Sequence, residues 1–364
     1  MAPRRRYNLA MPPRPVAPSI RAMLEAQEAG TFHPRAALSS ATRGRAQPEP
    51  EDDMRPGYQK DRDRILHCKA FRRLKGKTQV FLAPTGDHYR NRLTHTLEVA
   101  QVGRSIARAL RLNEMLVEAM IMGHDLGHTP FGHAGERVLS EAVHGGFHHV
   151  RQSLRVVEVL ERDGAGLNLT EEVRDGILRH SKGKGGVLMA GSGAKALTLE
   201  AEIVRLADVI AYVNHDLDDA ERAGILTEAQ VPADIRAILG GRHSQRLATL
   251  IRDVIVHSDL DGGGHIEMST EVHQALLALR DFLYASVYEN PVVHEEFVKA
   301  QRILRDLMAW CLEDAERCHR AYGVVPRPGE SLERAVTDFI SGMTDRFALS
   351  TWEAIFVPRP WAIT

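Results

Sequence analysis

The stretch LEAEIVRLADVIAYVNHDLDDAER, residues 199–222, constrains the fold more than any other part of the chain. Ile203, Leu206, Ile210 and Val213 recur at steps of three and four, the period of one buried helix face. Asp208, Tyr212 and Asp216 are spaced by four and stack on another face of the same helix. An exposed acidic face is the plain reading of that second stripe. Against it, Asp208 is flanked by apolar residues on both sides, within LADVIA.

The same period recurs elsewhere. HYRNRLTHTLEVAQVGRSIARALRL puts Leu97, Ala100, Ile106, Ala107 and Leu110 on one stripe, and Gly103 allows a close neighbour. His95 falls in the first turn, away from the stripe, where a lone histidine is usually a surface residue. LVEAMIMGHD, HVRQSLRVVEVLER and EEVRDGILRHS are further amphipathic helices, and residues 269–320 and 331–350 read as more. No alternating apolar–polar run of any length occurs, and no repeat at a fixed period. The fold class is therefore all-α.

The 364 residues, 43% of them hydrophobic, suffice for one large domain or two ordinary ones. Residues 1 to about 55 stand apart, because MPPRPVAP and QPEPEDD are broken by proline. They predict a weakly ordered arm carrying one short helix, SIRAMLEAQEAG, that ends at Gly30. The helical body follows, from 56 to 364. Its start, DRDRILHCKAFRRLKGKTQVF, predicts a helix and then a short extended piece, with basic residues facing water or an anionic ligand. Residues 182–193, KGKGGVLMAGSG, form a flexible glycine-rich loop without the context of a P-loop. Residues 257–269 form a loop whose acidic residues lack EF-hand spacing.

Lys and Arg total 47 against 48 Asp and Glu, a net charge of -1, which gives no overall push toward nucleic acid or membrane. Cys68, Cys311 and Cys318 show no metal-type spacing and read as reduced thiols of a cytoplasmic protein. No stretch approaches a membrane span, and Arg4, Arg5 and Arg6 precede no apolar run of a secretory signal.

Chemistry concentrates in residues 120–133, MIMGHDLGHTPFGH. Met120 and Ile121 read as the buried end of a helix, Gly123 and Gly127 leave space, and Pro130 opposes helix continuation. His124 and Asp125 can bind one divalent metal together if the helix ends there and the side chains splay. Imidazole with carboxylate suits mid-series metals better than calcium. The alternative is a helix cap at Asp125 with His124, His128 and His133 at the surface. Four polar groups bracketed by Gly, Pro and Phe favour a site.

His95, His124–Asp125 and Asp208 lie in three separate helical segments, in the order H…HD…D. That order resembles the HD-domain metal-dependent phosphohydrolases. FRRLKGKTQVF, NRLTHTLEVAQ, MGHDLGHTPFGHAGE, RLADVIAYVNHDLDDA, LRDFLYASVYENP and DFISGMTDRFA, in this order, resemble one branch, the dGTPase-like deoxynucleoside triphosphate triphosphohydrolases, from about Tyr58 to about Pro358. The resemblance implies an HD-domain helical core over about 90–220, with additional C-terminal helices over about 230–364. It implies His95, His124, Asp125 and Asp208 as ligands of a divalent ion such as manganese, magnesium or cobalt, which would polarise the phosphorus centre and activate water. It carries a catalytic group to His133, with Glu136 three residues on and able to fix its tautomer. His149 stands where the family has another active-site histidine, although Val150 and Arg151 replace the usual Asn and acidic residue. His128 is a phosphate contact or supports the ligands. Arg92 resembles the family's phosphate-binding arginine. Tyr212, Asp216 and Gln79 resemble residues around the deoxyribose, with Asp216 toward the 3′-hydroxyl.

The implied activity is hydrolysis of dNTPs, dGTP among them, to deoxynucleoside and inorganic triphosphate. The resemblance also allows a homo-oligomer. Two alternatives remain: another nucleotidase or phosphodiesterase of the superfamily, or a non-catalytic regulator that binds single-stranded nucleic acid and whose metal site is vestigial. The neutral net charge argues against the second.

Overall fold

The structure, a computed structural model, describes residues 18–81, 89–181, 196–262 and 264–359. Its first helices are α1 (Ile20–Thr31), α2 (Gly57–Leu66), α3 (Lys69–Arg73), α4 (Arg92–Ala109) and α5 (Glu114–His124). Next come α6 (Gly132–Ala142), α7 (His149–Arg155), α8 (Glu171–Arg179), α9 (Leu199–Arg222), α10 (Ala233–Leu239) and α11 (His243–His257). The last are α12 (Thr270–Leu283), α13 (Pro291–Glu313), α14 (Ala315–Tyr322), α15 (Leu332–Ser341) and α16 (Asp345–Phe356). Among the described residues, strand-like pairing is confined to isolated bridges such as Thr78 with Asn91, so the fold is all-α as expected.

Caps set the helices that matter most. Asn91 accepts from the Thr94 amide at 3.0 Å, and the Thr94 hydroxyl accepts from the Asn91 amide at 3.0 Å, a reciprocal box that starts α4. Asn113 accepts from the Met115 and Leu116 amides and starts α5. Thr198 caps α9.

α9 packs against α4, α5, α8, α11 and α12. Ile203, Leu206, Ile210 and Val213 are buried, as their period predicts. α4 departs from expectation. Ala100, Ile106 and Ala107 are buried, but Leu97 is 51% exposed. α4 is covered by both α5 and α9, so its hidden surface is wider than one stripe and takes in Val99, Val102 and His95. At Gly103 an added Cβ would lie 2.6 Å from Ile121 Cδ1, which is the close neighbour that position allows.

Two apolar cores result. The larger is built on α2, α4, α5, α8, α9 and α12. The smaller joins Phe131 and α6 to α13, α15 and α16. The segment from Met120 to His133 runs from one core to the other.

The arm forms α1 as predicted, and the chain after it is pinned to the body. Arg45 pairs with buried Asp61, which also accepts from the Thr170 amide and hydroxyl at 2.8 and 2.7 Å. Glu200 accepts from the Ala37 and Asn113 amides. Such buried polar anchors leave no trace in composition. Weak order over residues 1–17, and the loop expected at 182–193, lie outside the described residues. Cys68, Cys311 and Cys318 are free and buried. No helix among the described residues is long and apolar enough to cross a membrane.

Candidate metal centre and active site

α5 ends at His124, and Asp125 takes the cap position, so the two side chains diverge from the helix end. The His124 Nδ1–H donates to the Ile121 carbonyl at 2.6 Å, which leaves Nε2 as the lone-pair nitrogen. From α4, His95 places Nε2 3.2 Å from Asp208 Oδ1 and 3.7 Å from Asp125 Oδ2. His124 Nε2 lies 3.5 Å from Asp125 Oδ2 and 3.8 Å from Asp208 Oδ1. The structure thus brings the four sequence-predicted ligands together from α4, α5 and α9. His95, unremarkable in the sequence, is only 2% exposed.

These residues fit a divalent cation. His124 Nε2 is buried and has no hydrogen-bond partner among the described residues, a costly state for an imidazole nitrogen unless it ligates. Burial raises the Asp208 pKa, but the His95 hydrogen bond and the neighbouring His124 imidazole bring it down to about 2. Asp125, despite its burial, is held well below the usual carboxylate range by His124, His128 and Arg92. Both carboxylates are therefore in their ligating form. Behind them, His95 Nδ1 lies 2.8 Å from His215 Nε2, a contact of the kind that fixes a ligand's tautomer. His215 Nδ1 is in turn 2.7 Å from Asp216 Oδ1, close but not aligned for a hydrogen bond.

Arg92, at the start of α4, is buried and donates from Nη1 to Asp125 Oδ2 at 2.6 Å. Its Nε has no partner among the described residues, a donor left over for an anionic oxygen.

On the far side of Asp125, His128 Nε2 lies 3.5 Å from Asp125 Oδ1. Its ring, 3% exposed, stacks on His149 with centroids 4.1 Å apart. Burial and the Arg92 charge hold His128 well below its usual pKa. Glu136 does not stand where its spacing suggested. It accepts from the His149 amide at 2.9 Å and lies 2.8 Å from His149 Nδ1, while His133 Nδ1 is 3.8 Å away. Burial opposes ionisation of Glu136, but the neighbouring His133 and His149 imidazoles hold it far below the usual range. His133 is 72% exposed on the first turn of α6. His148 caps α7, accepting from the Val150 amide at 3.3 Å.

The other side is built on α9. α12 runs into a π-helical turn, Tyr284–Tyr288, of a kind that recurs at functional sites. Tyr288, at its end, donates to Asp216 Oδ2. Tyr212, half-buried, lies one turn before Asp216 on α9. Gln79 Oε1 is buried with no partner among the described residues.

Four features were not read from the sequence. His180, at the end of α8, stands edge-on to the His124 ring at 5.0 Å, and burial followed by the His124 charge pushes it down to about 3. His215 and Tyr288 were quoted only inside longer motifs. Gly127 does not leave space: a Cβ there would overlap the Ser153 amide, so this glycine lets α7 press against the loop. In the sequence His180 lies between Arg179 and Ser181, and His215 between Asn214 and Asp216, so their neighbours gave neither away.

The HD domain family model matches residues 92–213, and the phosphohydrolase-associated domain matches residues 266–354. Fold and site together define an HD-domain phosphohydrolase. A deoxyguanosinetriphosphate triphosphohydrolase-like protein of Desulfatibacillum aliphaticivorans is 51% identical over 348 residues, covering 94% of this chain and 99% of its own length. Another of that name, from Caldanaerobacter subterraneus, is 49% identical over 344 residues, covering 94% and 97%. The chain belongs to this deoxyguanosinetriphosphate triphosphohydrolase-like family, as the motif set implied. A solved hypothetical protein from Aquifex aeolicus aligns with 81% of this chain and 71% of its own, at 19% identity and a TM-score of 0.44.

Proposed function

We propose that the chain is a divalent-metal-dependent dNTP triphosphohydrolase. It adds water to the α-phosphorus and breaks the bond to the nucleoside 5′-oxygen, releasing a deoxynucleoside and inorganic triphosphate. The observation that carries this reading is the convergence of His95, His124, Asp125 and Asp208 around a buried imidazole nitrogen that has no other partner. The names of the relatives make dGTP the first substrate to try. A cation held by these four residues, with manganese, magnesium and cobalt all suited to the donor set, supplies Lewis acidity at the phosphate and acidifies water.

The chain's own groups do the rest. Arg92 anchors Asp125 and turns its spare donor to a phosphate oxygen. His128 sits between Asp125 and His149 as a phosphate contact. The attacking water must lose a proton and the 5′-oxygen must gain one. His149, its Nδ1–H directed at Glu136, presents Nε2 for that transfer. His133, exposed on the first turn of α6 with its ring 6.1 Å from that of His128, is the alternative group for the same proton. Gln79, Tyr212 and Asp216 hold the sugar, with Tyr212 against C2′ and Asp216, steadied by Tyr288, toward the 3′-hydroxyl. An aromatic ring at C2′ leaves no room for a hydroxyl, a physical reason to prefer deoxyribose.

The test is one product-resolved assay of the purified chain with each dNTP and rNTP, in manganese, magnesium or cobalt. Deoxynucleoside plus triphosphate is expected. Monophosphate plus pyrophosphate, or no turnover under any condition, overturns the reading.

A further inference from the structure

The loop between α5 and α6 carries His128 at one end and leads into His133 and Glu136 at the other. At its far end Phe131 adopts φ 62° and ψ 23°, a left-handed conformation that a non-glycine residue keeps only when its surroundings impose it. Two buried side chains, Asp345 and Lys77, hold it there. The Phe131 amide donates to Asp345 Oδ1 at 2.9 Å. Asp345 Oδ2 accepts from the Thr78 amide at 2.8 Å and from the Thr78 hydroxyl. At the near end, Lys77 Nζ donates to the His128 carbonyl and to the Ser341 carbonyl, the latter at 2.7 Å. The Lys77 carbonyl accepts from the Arg92 amide at 3.2 Å.

Ser341 closes α15 and Asp345 opens α16, so both belong to the phosphohydrolase-associated region. Residues 128–131 belong to the HD domain. Thus one junction of the C-terminal lobe grips both ends of the loop, together with the segment that leads to Gln79 and Arg92. The parts are in ordinary van der Waals contact there. A Cβ on Gly132 would lie 3.5 Å from Arg92 Nη2 and 3.6 Å from the Gln79 carbonyl.

We infer that Lys77 and Asp345 form a latch through which the C-terminal lobe sets the position of the active-site loop. Both are positioning residues, and the inference rests on the reading of the site proposed above. The chemistry at each end demands its residue. Three donors converge on Asp345, and only a carboxylate offers two acceptor oxygens with no donor of its own; an amide would turn N–H against N–H. Two carbonyls from different lobes converge on Lys77, and its Nζ donates to both at once. Releasing either end frees the strained turn. The His128 ring beside Asp125 and the start of α6 then drift from their working places, with the metal ligands on α4, α5 and α9 left where they are.

The experiment uses the full chain with Asp345→Asn and, separately, Lys77→Met, which keeps the apolar stem should the first variant fail to fold. Three measurements are made on folded protein: amide hydrogen exchange of peptides over residues 126–136, bound metal, and the separate values of kcat and KM. Exchange over 126–136 should rise at least about tenfold with the rest of the molecule unaltered. Bound metal should match the parent chain. The kcat should fall about 10–100-fold, the cost of a misplacement of about an ångström, with KM moved far less. Unchanged exchange in both variants overturns the latch. So does a kcat within about twofold of the parent per folded, metal-loaded molecule, because a merely structural contact would lower stability alone. If the parent chain turns over no nucleotide, the proposed reaction fails, and the exchange measurement still decides whether the latch holds the loop.

Discussion

Asp125→Ala and Asp125→Asn separate what this carboxylate does for metal from what it does for the fold. Asp125 occupies the C-cap position of α5, where the unsatisfied backbone groups are carbonyls that a carboxylate cannot serve, so its loss as a mere cap should cost little. The structure predicts more. Arg92 donates to Asp125 Oδ2 at 2.6 Å with both groups buried, and the Arg92 Nε has no other partner. Alanine would strand the guanidinium beside His95, His124 and His128. Removing one member of a buried pair costs about 3–5 kcal/mol. At roughly 2 °C per kcal/mol in a chain of this size, the Tm should fall by about 6–10 °C. Asparagine keeps one acceptor for Arg92 and should recover most of that loss. It does not restore the anionic ligand. Loss of a mere supporting partner weakens metal binding about 10–100-fold, so loss of the ligand itself should cost at least ~10²-fold, and turnover should fall with it. Calorimetry in chelator reads the first quantity. Elemental analysis after dialysis against graded manganese reads the second. Should Asp125→Asn bind metal and turn over like the parent chain, the carboxylate is a cap and the metal assignment fails.

Four further outcomes are expected. Glu136→Gln and His149→Ala should each slow turnover by roughly 10²–10⁴-fold at unchanged metal content, and His133→Ala by less; equal losses for His133→Ala and His149→Ala would return proton transfer to His133. His215→Phe should weaken manganese binding by about 10–100-fold through His95, and an unchanged titration would reject that support. Gly127→Ala should lower stability by about 1–3 kcal/mol or more, seen as a lower denaturant midpoint, because the new methyl meets the α7 backbone. Tyr212→Ala should raise rNTP turnover relative to dNTP, whereas Asp216→Ala should equalise dNTPs with 2′,3′-dideoxy analogues; an unchanged dNTP-to-rNTP ratio in active Tyr212→Ala removes the steric wall from the account.

The stripe read in α9 is only part of what is hidden. Ile203, Leu206, Ile210 and Val213 are buried, but so are Val204, Ala207, Val209 and Ala211, because α4, α5, α8, α11 and α12 surround this helix. α4 is likewise covered by α5 and α9 from two directions. A rule that seeks one stripe then picks Leu97, which faces solvent, and passes over His95, which does not. Residues 18–55 show a related limit. Their prolines and acidic residues describe a chain without a core of its own, and composition does not record the Arg45–Asp61 pair or the Glu200 contacts that hold this stretch to the body.

The site was legible to the extent that it is local. His124, Asp125, His128 and His133 announce themselves by crowding, and the spacing of Asp208, Tyr212 and Asp216 places them on one helix face. Glu136 shows where local rules stop. The i, i+3 relation offers it His133, but the N-terminus of α7 brings a ring nitrogen and a backbone amide of His149 to the same carboxylate. Two donors at 2.8–2.9 Å outcompete one exposed imidazole at 3.8 Å, and no spacing in the sequence records that approach.

α9 explains why the two halves of the site keep a fixed relation. Asp208 faces the metal cluster, His215 supports His95 from behind, and Asp216 meets Tyr288 from the C-terminal lobe. A helix rises about 1.5 Å per residue, so the eight residues from Asp208 to Asp216 span about 12 Å of rigid backbone. That rigidity is bought by the apolar face, whose residues are buried against α4, α5 and α12. On the proposed reading, a change that lets α9 slide would shift Asp208 and Asp216 together and disturb metal and sugar contacts at once. A change at Tyr212 or Tyr288 would then disturb the proposed sugar side alone.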